Sequence, residues 1–157
     1  MKINKRLLFI CIAIPLIVGA VSALLTQNSM ETFQFIDKPP LAPPGWLFPV
    51  VWTILYTLMG ISSYLILQSG ENQEGIRRAL TIYGYQLAVN FLWPTFFFNF
   101  GWYFFSFLWL VLLWVLVLIM ILRFKDISKL AAYMNIPYLV WLTFAGYLNL
   151  GIWILNR

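Results

Sequence analysis

The stretch LVLLWVLVLIMIL, Leu110 to Leu122, is thirteen apolar residues without interruption. A strand crossing a bilayer is about 10 residues long and alternates apolar with polar side chains; this run does neither. Extended back to Trp102, it supplies the roughly 20 mostly apolar residues that a helix needs to cross the hydrocarbon core. Charged residues cut the rest of the chain into four more runs of this kind: Leu7 to Leu25, Trp46 to Leu67, Ala79 to Phe98 and Leu130 to Leu155. With 62% hydrophobic and 10% charged residues among 157, almost nothing remains to build a soluble domain. The sequence therefore predicts an all-α integral membrane protein: a single domain over residues 1–157, folded as a bundle of five transmembrane helices, with residues 26–45 as the one long connection.

The positive charges give the bundle a direction. Lys2, Lys5 and Arg6 precede the first run, Arg77 and Arg78 lie between the second and third, and Arg123, Lys125 and Lys129 lie between the fourth and fifth. The opposite side holds only Lys38 and Arg157. By the positive-inside rule the amino terminus is cytoplasmic in the cell membrane and residues 26–45 face outward. The first run also fits a secretory signal with a cleavage site near Ala20 to Ser22, but it is long enough to span and to form the fifth wall of the bundle. The net charge of +5 reports orientation and contact with anionic lipid, not nucleic acid.

Other classes fall away for want of residues. The chain has no histidine and one cysteine, Cys11, so the usual ligand sets for a metal or haem iron are missing and no metal or cofactor is expected. All five acidic residues lie outside the apolar runs, which weakens an ion-coupled transporter, since such proteins keep an ionisable group at membrane depth.

The long connection has chemistry of its own. KPPLAPPGWLFPVVW, Lys38 to Trp52, holds five prolines. Pro39, Pro40, Pro43 and Pro44 lock φ, favour extended geometry and donate no backbone hydrogen bonds, so the segment loses little entropy on ordering. With Lys38 they are read as a lid. Pro49 falls in the first turn of the second helix, where its missing N–H would have had no partner.

Deeper in the runs, aromatic and amide side chains share faces. Phe48, Trp52 and Tyr56 recur at helical spacing, as do Pro137, Tyr138, Trp141, Ala145 and Leu148. Between them in sequence come Gln86, Asn90, Trp93 and Pro94. An amide in hydrocarbon must find partners, and Pro94 deprives the Asn90 carbonyl of its usual donor, which marks a loosened wall. Trp46, Trp102 and Trp153 sit near run ends, as interfacial belts do; Trp52, Trp93 and Trp141 do not. The pattern predicts an indole-lined site without acid, base or metal ligand, suited to a flat, apolar, conjugated molecule. Gly84 and Ala88 form a small-xxx-small step, either for packing inside the bundle or for a homodimer through the third helix.

Together KPPLAPPGWLFPVVWTILYTLMG, QLAVNFLWPTFFF and IPYLVWLTFAGYLNLGIW resemble the translocator protein or tryptophan-rich sensory protein family, TspO/MBR, once called peripheral-type benzodiazepine receptors. The resemblance covers nearly the whole chain. It implies a five-helix bundle, commonly a homodimer, whose first loop lids a pocket, and binding of porphyrins such as protoporphyrin IX, of isoquinoline carboxamides and of benzodiazepines. Residue by residue, Trp52, Asn90, Trp93, Trp141 and Ala145 fall on pocket positions, with Pro44 and Trp46 from the lid. It also implies sterol binding for some members and, for bacterial members, a second reading, light-dependent oxidative breakdown of protoporphyrin IX on Trp52 and Trp141; a third, porphyrin or sterol transport, is weakened by the lack of an intramembrane charge. The chain departs from the family pattern at Thr32 and Phe33, where a Trp-Tyr pair is common, which implies a looser lid. It departs again at Ser106, where an acidic residue is common.

Overall fold

The computed structural model describes residues 2–157, with Met30 and Thr32 as backbone only; the side chain of Thr32 thus lies outside the described residues. The regular structure of the described residues is all helical: α1 (Lys5–Thr26), α2 (Leu47–Leu67), α3 (Gln73–Pro94), α4 (Tyr103–Lys125), the short α5 (Lys129–Tyr133) and α6 (Ile136–Leu155). Among the described residues four stretches are long and apolar enough to cross a membrane, namely α1, α2, α4 and Lys129–Leu155. α3 falls short of that apolarity because it carries Gln73, Glu74, Arg77 and Arg78 in its first turns and Gln86 and Asn90 further on. The last two face inward, at 0% and 4% exposure, so the outer face of α3 is less polar than its composition.

Helix starts follow local chemistry. Asn4 and Asn72 cap α1 and α3 by accepting from the N–H groups of Leu7 and Gly75, and Ser128 caps α5 by accepting from Ala131. The run read as one fifth helix is broken: α5 ends at Tyr133, and α6 restarts with Pro137 in its first turn. Proline suits that position and disfavours helical geometry in the residue before it. The joint is tied to α2 by Asn135, whose amide donates to Ser62 Oγ at 2.9 Å. Pro137 is therefore a helix start.

The third helix also ends differently from its predicted span. After Pro94 the chain winds into a π-helix, Thr95–Asn99, closed by the Phe100 N–H on the Thr95 carbonyl at 3.1 Å. Pro94 cannot donate to the Asn90 carbonyl, and the wider turn is how the backbone continues past it. The Thr95 N–H goes to Leu92, and the Phe91 carbonyl is taken by Ser22 Oγ of α1 at 2.9 Å.

Around the bundle the order is α2, α1, α3, α4, α6. α1 lies along α2 at very short range: a Cβ added to Gly60 would fall against Ile12 Cα and 2.6 Å from the Cys11 carbonyl oxygen. In lipid, apolar side chains gain nothing by leaving solvent, so close backbone approach of this kind drives association. α2 and α6 instead meet through large side chains, without close backbone approach. That wide seam, backed by α3, is where the predicted site residues converge.

Candidate functional site

Three elements supply the centre of the site. From α2, Trp52 stacks on Tyr56 (ring centroids 5.5 Å apart, planes 29°). From α6, Trp141 stands perpendicular to Trp52 at 6.4 Å and 89°, and Tyr138 meets Trp52 edge-on at 6.1 Å. Phe48 extends the cluster outward, edge to Trp141 at 5.8 Å. From α3, Asn90 joins the two tyrosines: it accepts from the Tyr56 hydroxyl at 2.9 Å and donates to the Tyr138 oxygen at 2.6 Å. Tyr138 donates onward to Gln86 Oε1 at 2.7 Å, and Gln86 Nε2 reaches Met59 Sδ at 3.7 Å.

The direction of this chain matters chemically. Each group passes its hydrogen to the next, from Tyr56 to Asn90, Tyr138, Gln86 and a thioether, so no member competes with another as donor. No carboxylate, amine or imidazole takes part. The chain fixes ring orientation and supplies no acid or base; what it leaves to a ligand lies beside it. The Trp141 indole N–H is buried with no acceptor among the described residues, and a buried donor without a partner costs about 1–3 kcal/mol. A ligand oxygen or nitrogen placed there would recover that cost.

Asn90→Leu would strip Tyr56 of its acceptor and Tyr138 of its donor at once. We expect a loss of about 1–3 kcal/mol, the cost of leaving the buried Tyr56 hydroxyl without a partner while Tyr138 keeps its bond to Gln86, measured as lowered thermal stability in detergent. An unchanged midpoint would mean that the amide merely accompanies two tyrosines that pair elsewhere.

The remaining site residues fall into two sets. Trp93 stacks on Phe97 (4.9 Å, 21°) and donates to Asn149 Oδ1 at 3.1 Å, while Asn149 donates to the Tyr103 carbonyl of α4. This second aromatic group reaches the first through the lid: Phe33 touches Phe97 and Phe98 on one side and Phe48 on the other. Ala145 and Leu148 continue the inner side of α6, the latter buried. Pro44 and Trp46 are not brought in. Both are exposed, Trp46 at 69%, because α2 starts at Leu47 and the preceding turn points their side chains away from the seam. They form an outer rim. An open groove of about 260 Å³ lies between α4 and α6, against Phe107, Trp114, Leu142 and Tyr147. Ser106, where the family pattern carries an acid, is fully buried with its hydroxyl unpartnered.

The lid passes over α6. Its Lys38 ammonium lies 4.8 Å above the Phe33 ring and 3.4 Å from the Ile36 carbonyl. Pro39 is buried, and Pro40 accepts a hydrogen bond from Tyr147 at 2.7 Å. Tyr147, Asn149, Gly151 and Asn156 were not singled out by spacing. The two asparagines stand out only as amides in an otherwise apolar run, which is the signal that would have found them.

The sequence that builds this site has relatives. Residues 11–154 match the model of the TspO/MBR family. The chain belongs to that family. It is similar to the tryptophan-rich protein TspO of Chlorobaculum tepidum, with 34% identity over 98% of this chain and 99% of the relative. Protein CrtK of Rhodobacter capsulatus is 36% identical over 88% of this chain and 85% of its own. The translocator protein of Bos taurus is 33% identical over 89% and 84%. A TspO/MBR protein is a membrane protein, and the apolar helices of this chain agree with that.

Proposed function

We propose that this protein binds a flat conjugated tetrapyrrole of the protoporphyrin IX type in the seam between α2, α3 and α6, acting as a sensor or scavenger in the cell membrane, and that the same seam accepts isoquinoline carboxamides and benzodiazepines. The observation that carries this reading is the buried, unpartnered Trp141 N–H standing beside Trp52. Two perpendicular indoles offer one ring face and one ring edge to a planar ligand, and the lone N–H asks for an acceptor on it. The lid ammonium of Lys38 supplies a cation near the outer opening, where porphyrin propionates would stay close to water. The name of a relative 33% identical over 88% of this chain, the tryptophan-rich sensory protein of Cereibacter sphaeroides, agrees with a sensory role. Titration of protoporphyrin IX in the dark tests the reading: a saturable spectral change supports it, and its absence removes it.

A second reading is favoured by the same pair of rings. Trp52 and Trp141 are the most readily oxidised side chains beside the proposed ligand position, and no base adjoins them. A light-excited porphyrin held there with dioxygen as oxidant would be broken down oxidatively. Product formed only under illumination would support this reading, whereas flux into proteoliposomes would favour porphyrin or sterol transport.

The membrane arrangement completes the proposal. α3 crosses the bilayer as the fifth span with its amides turned inward, the amino terminus is cytoplasmic, and the lid is outside. Two copies pair through α3. Gly84 and Ala88 are both exposed, and a Cβ on Gly84 would meet nothing within 4 Å, so the small-xxx-small step is not used inside the protomer. Gly84→Leu is expected to shift the protein from dimer to monomer in detergent, read by light scattering, with unchanged helicity. A persistent dimer would place the contact on another helix.

A further inference from the structure

The tip of the lid is a strained turn, and α6 holds it at three points. Pro39 to Ala42 form the turn, closed by the Ala42 N–H on the Pro39 carbonyl at 3.3 Å. Its third residue, Leu41, has φ of 72°, the left-handed region that a type II turn requires and that glycine or asparagine normally fills. Among the described residues Leu41 is the one non-glycine with positive φ, and its side chain is 82% exposed, so its own packing does not hold it there. The restraint comes from α6 and from Asn156, which caps its end. Asn156 pairs with the backbone of Asp37 in both directions, accepting from its N–H at 3.1 Å and donating to its carbonyl at 2.8 Å. Tyr147 donates to the Pro40 carbonyl at 2.7 Å. Between them Gly151 is the seat of the turn: a Cβ there would lie 2.7 Å from both Cβ and Cγ of Pro39.

We infer that Asn156, Gly151 and Tyr147 form a latch that holds the Pro39–Ala42 turn shut against the strain at Leu41, and that release of this latch sets the rate at which ligand enters and leaves the indole site. The gating half of the inference rests on the binding function proposed above; the latch itself does not. Anchor and site share one helix: Trp141 lies on α6 two turns before Tyr147, and the lid reaches it independently through Phe33 and Phe48. Rigid proline pairs, Pro39-Pro40 within the turn and Pro43-Pro44 directly after it, make the segment move as a unit, so loss of one anchor loosens all of it. A latch opposed by strain opens more readily than an unstrained one, which suits a site that must exchange a bulky planar molecule.

The test measures lid and ligand separately. Hydrogen exchange of the amides in residues 35–46 is followed on the ligand-free protein in detergent, for the parent and for Asn156→Ala, Gly151→Ala and Leu41→Asn. Asn156→Ala removes two hydrogen bonds, at roughly fivefold each, and should raise exchange about twenty-five-fold; Gly151→Ala should act in the same direction by lifting Pro39 off its seat. Leu41→Asn, which tolerates the left-handed region while keeping a side chain, should slow exchange several-fold. Dissociation of protoporphyrin IX, measured on the same proteins, should rise and fall in the same order, with a smaller change in affinity than in rate. Exchange unchanged in both α6 variants overturns the latch. Exchange that rises while dissociation stays constant overturns the gating claim. If the parent binds no porphyrin, the binding function fails and exchange alone still decides the latch.

Discussion

Trp141→Phe is expected to slow light-driven decay of bound protoporphyrin IX by about tenfold or more, equivalent to roughly 1.4 kcal/mol of barrier, while dark affinity falls less, by about fivefold, the lower end of what the N–H recovers from a ligand acceptor. The argument separates two properties of one side chain. Phenylalanine retains a ring face and most of the edge contacts to Trp52 and Phe48. It loses the easily oxidised indole and the N–H that has no acceptor among the described residues. Binding draws mainly on ring area and oxidation on the indole, so the substitution divides them. Trp52→Phe should behave alike but less sharply, because Trp52 also stacks on Tyr56 and its replacement disturbs the tyrosine below. Equal decay rates in both variants and the parent, measured by porphyrin absorbance under constant illumination, would remove the photo-oxidative reading and leave a binding protein.

Gly60→Ala is expected to have the largest effect on stability, about 3 kcal/mol, the upper part of the usual range for overpacking. The atoms in the way belong to the α1 backbone, at Cys11 and Ile12, and cannot turn aside as a side chain would. Relief requires α1 to move off α2 along its length. α1 also lies on α3, where Ser22 holds the Phe91 carbonyl, so the shift would reach the π-helix. Thermal unfolding followed by circular dichroism in one detergent would check this, with Gly45→Ala as the control, since that position has open space. Equal midpoints for the two variants would show that α1 is loosely held.

Much of this was legible in the sequence, for physical reasons that differ by element. The uninterrupted run at Leu110–Leu122 demanded a helix because lipid satisfies no backbone group. Trp52, Tyr56, Asn90, Tyr138 and Trp141 converge because helical spacing put them on single faces and buried amides must find partners. Pro94 signalled the loosened wall, though not that it would take π form. The break between α5 and α6 could have been read from Asn135-Ile136-Pro137, but apolarity either side hid it. Pro44 and Trp46 were placed by resemblance alone, and the start of α2 turns them outward. The anchors of the lid were hidden for a different reason: Gly151 matters through what approaches it, and Asn156 through the backbone of Asp37, 119 residues away, and neither relation leaves a periodic mark.

The most direct measurement is a dark titration of protoporphyrin IX into detergent-solubilised protein, following the porphyrin absorption band and indole fluorescence together. A saturable change with one porphyrin per chain, quenching of the indoles, and marked weakening in the combined Trp52→Ala, Trp141→Ala variant that stays folded by circular dichroism are the predicted results. A non-saturable change, or equal affinity in that variant and the parent, would contradict the seam between α2, α3 and α6 as the binding site.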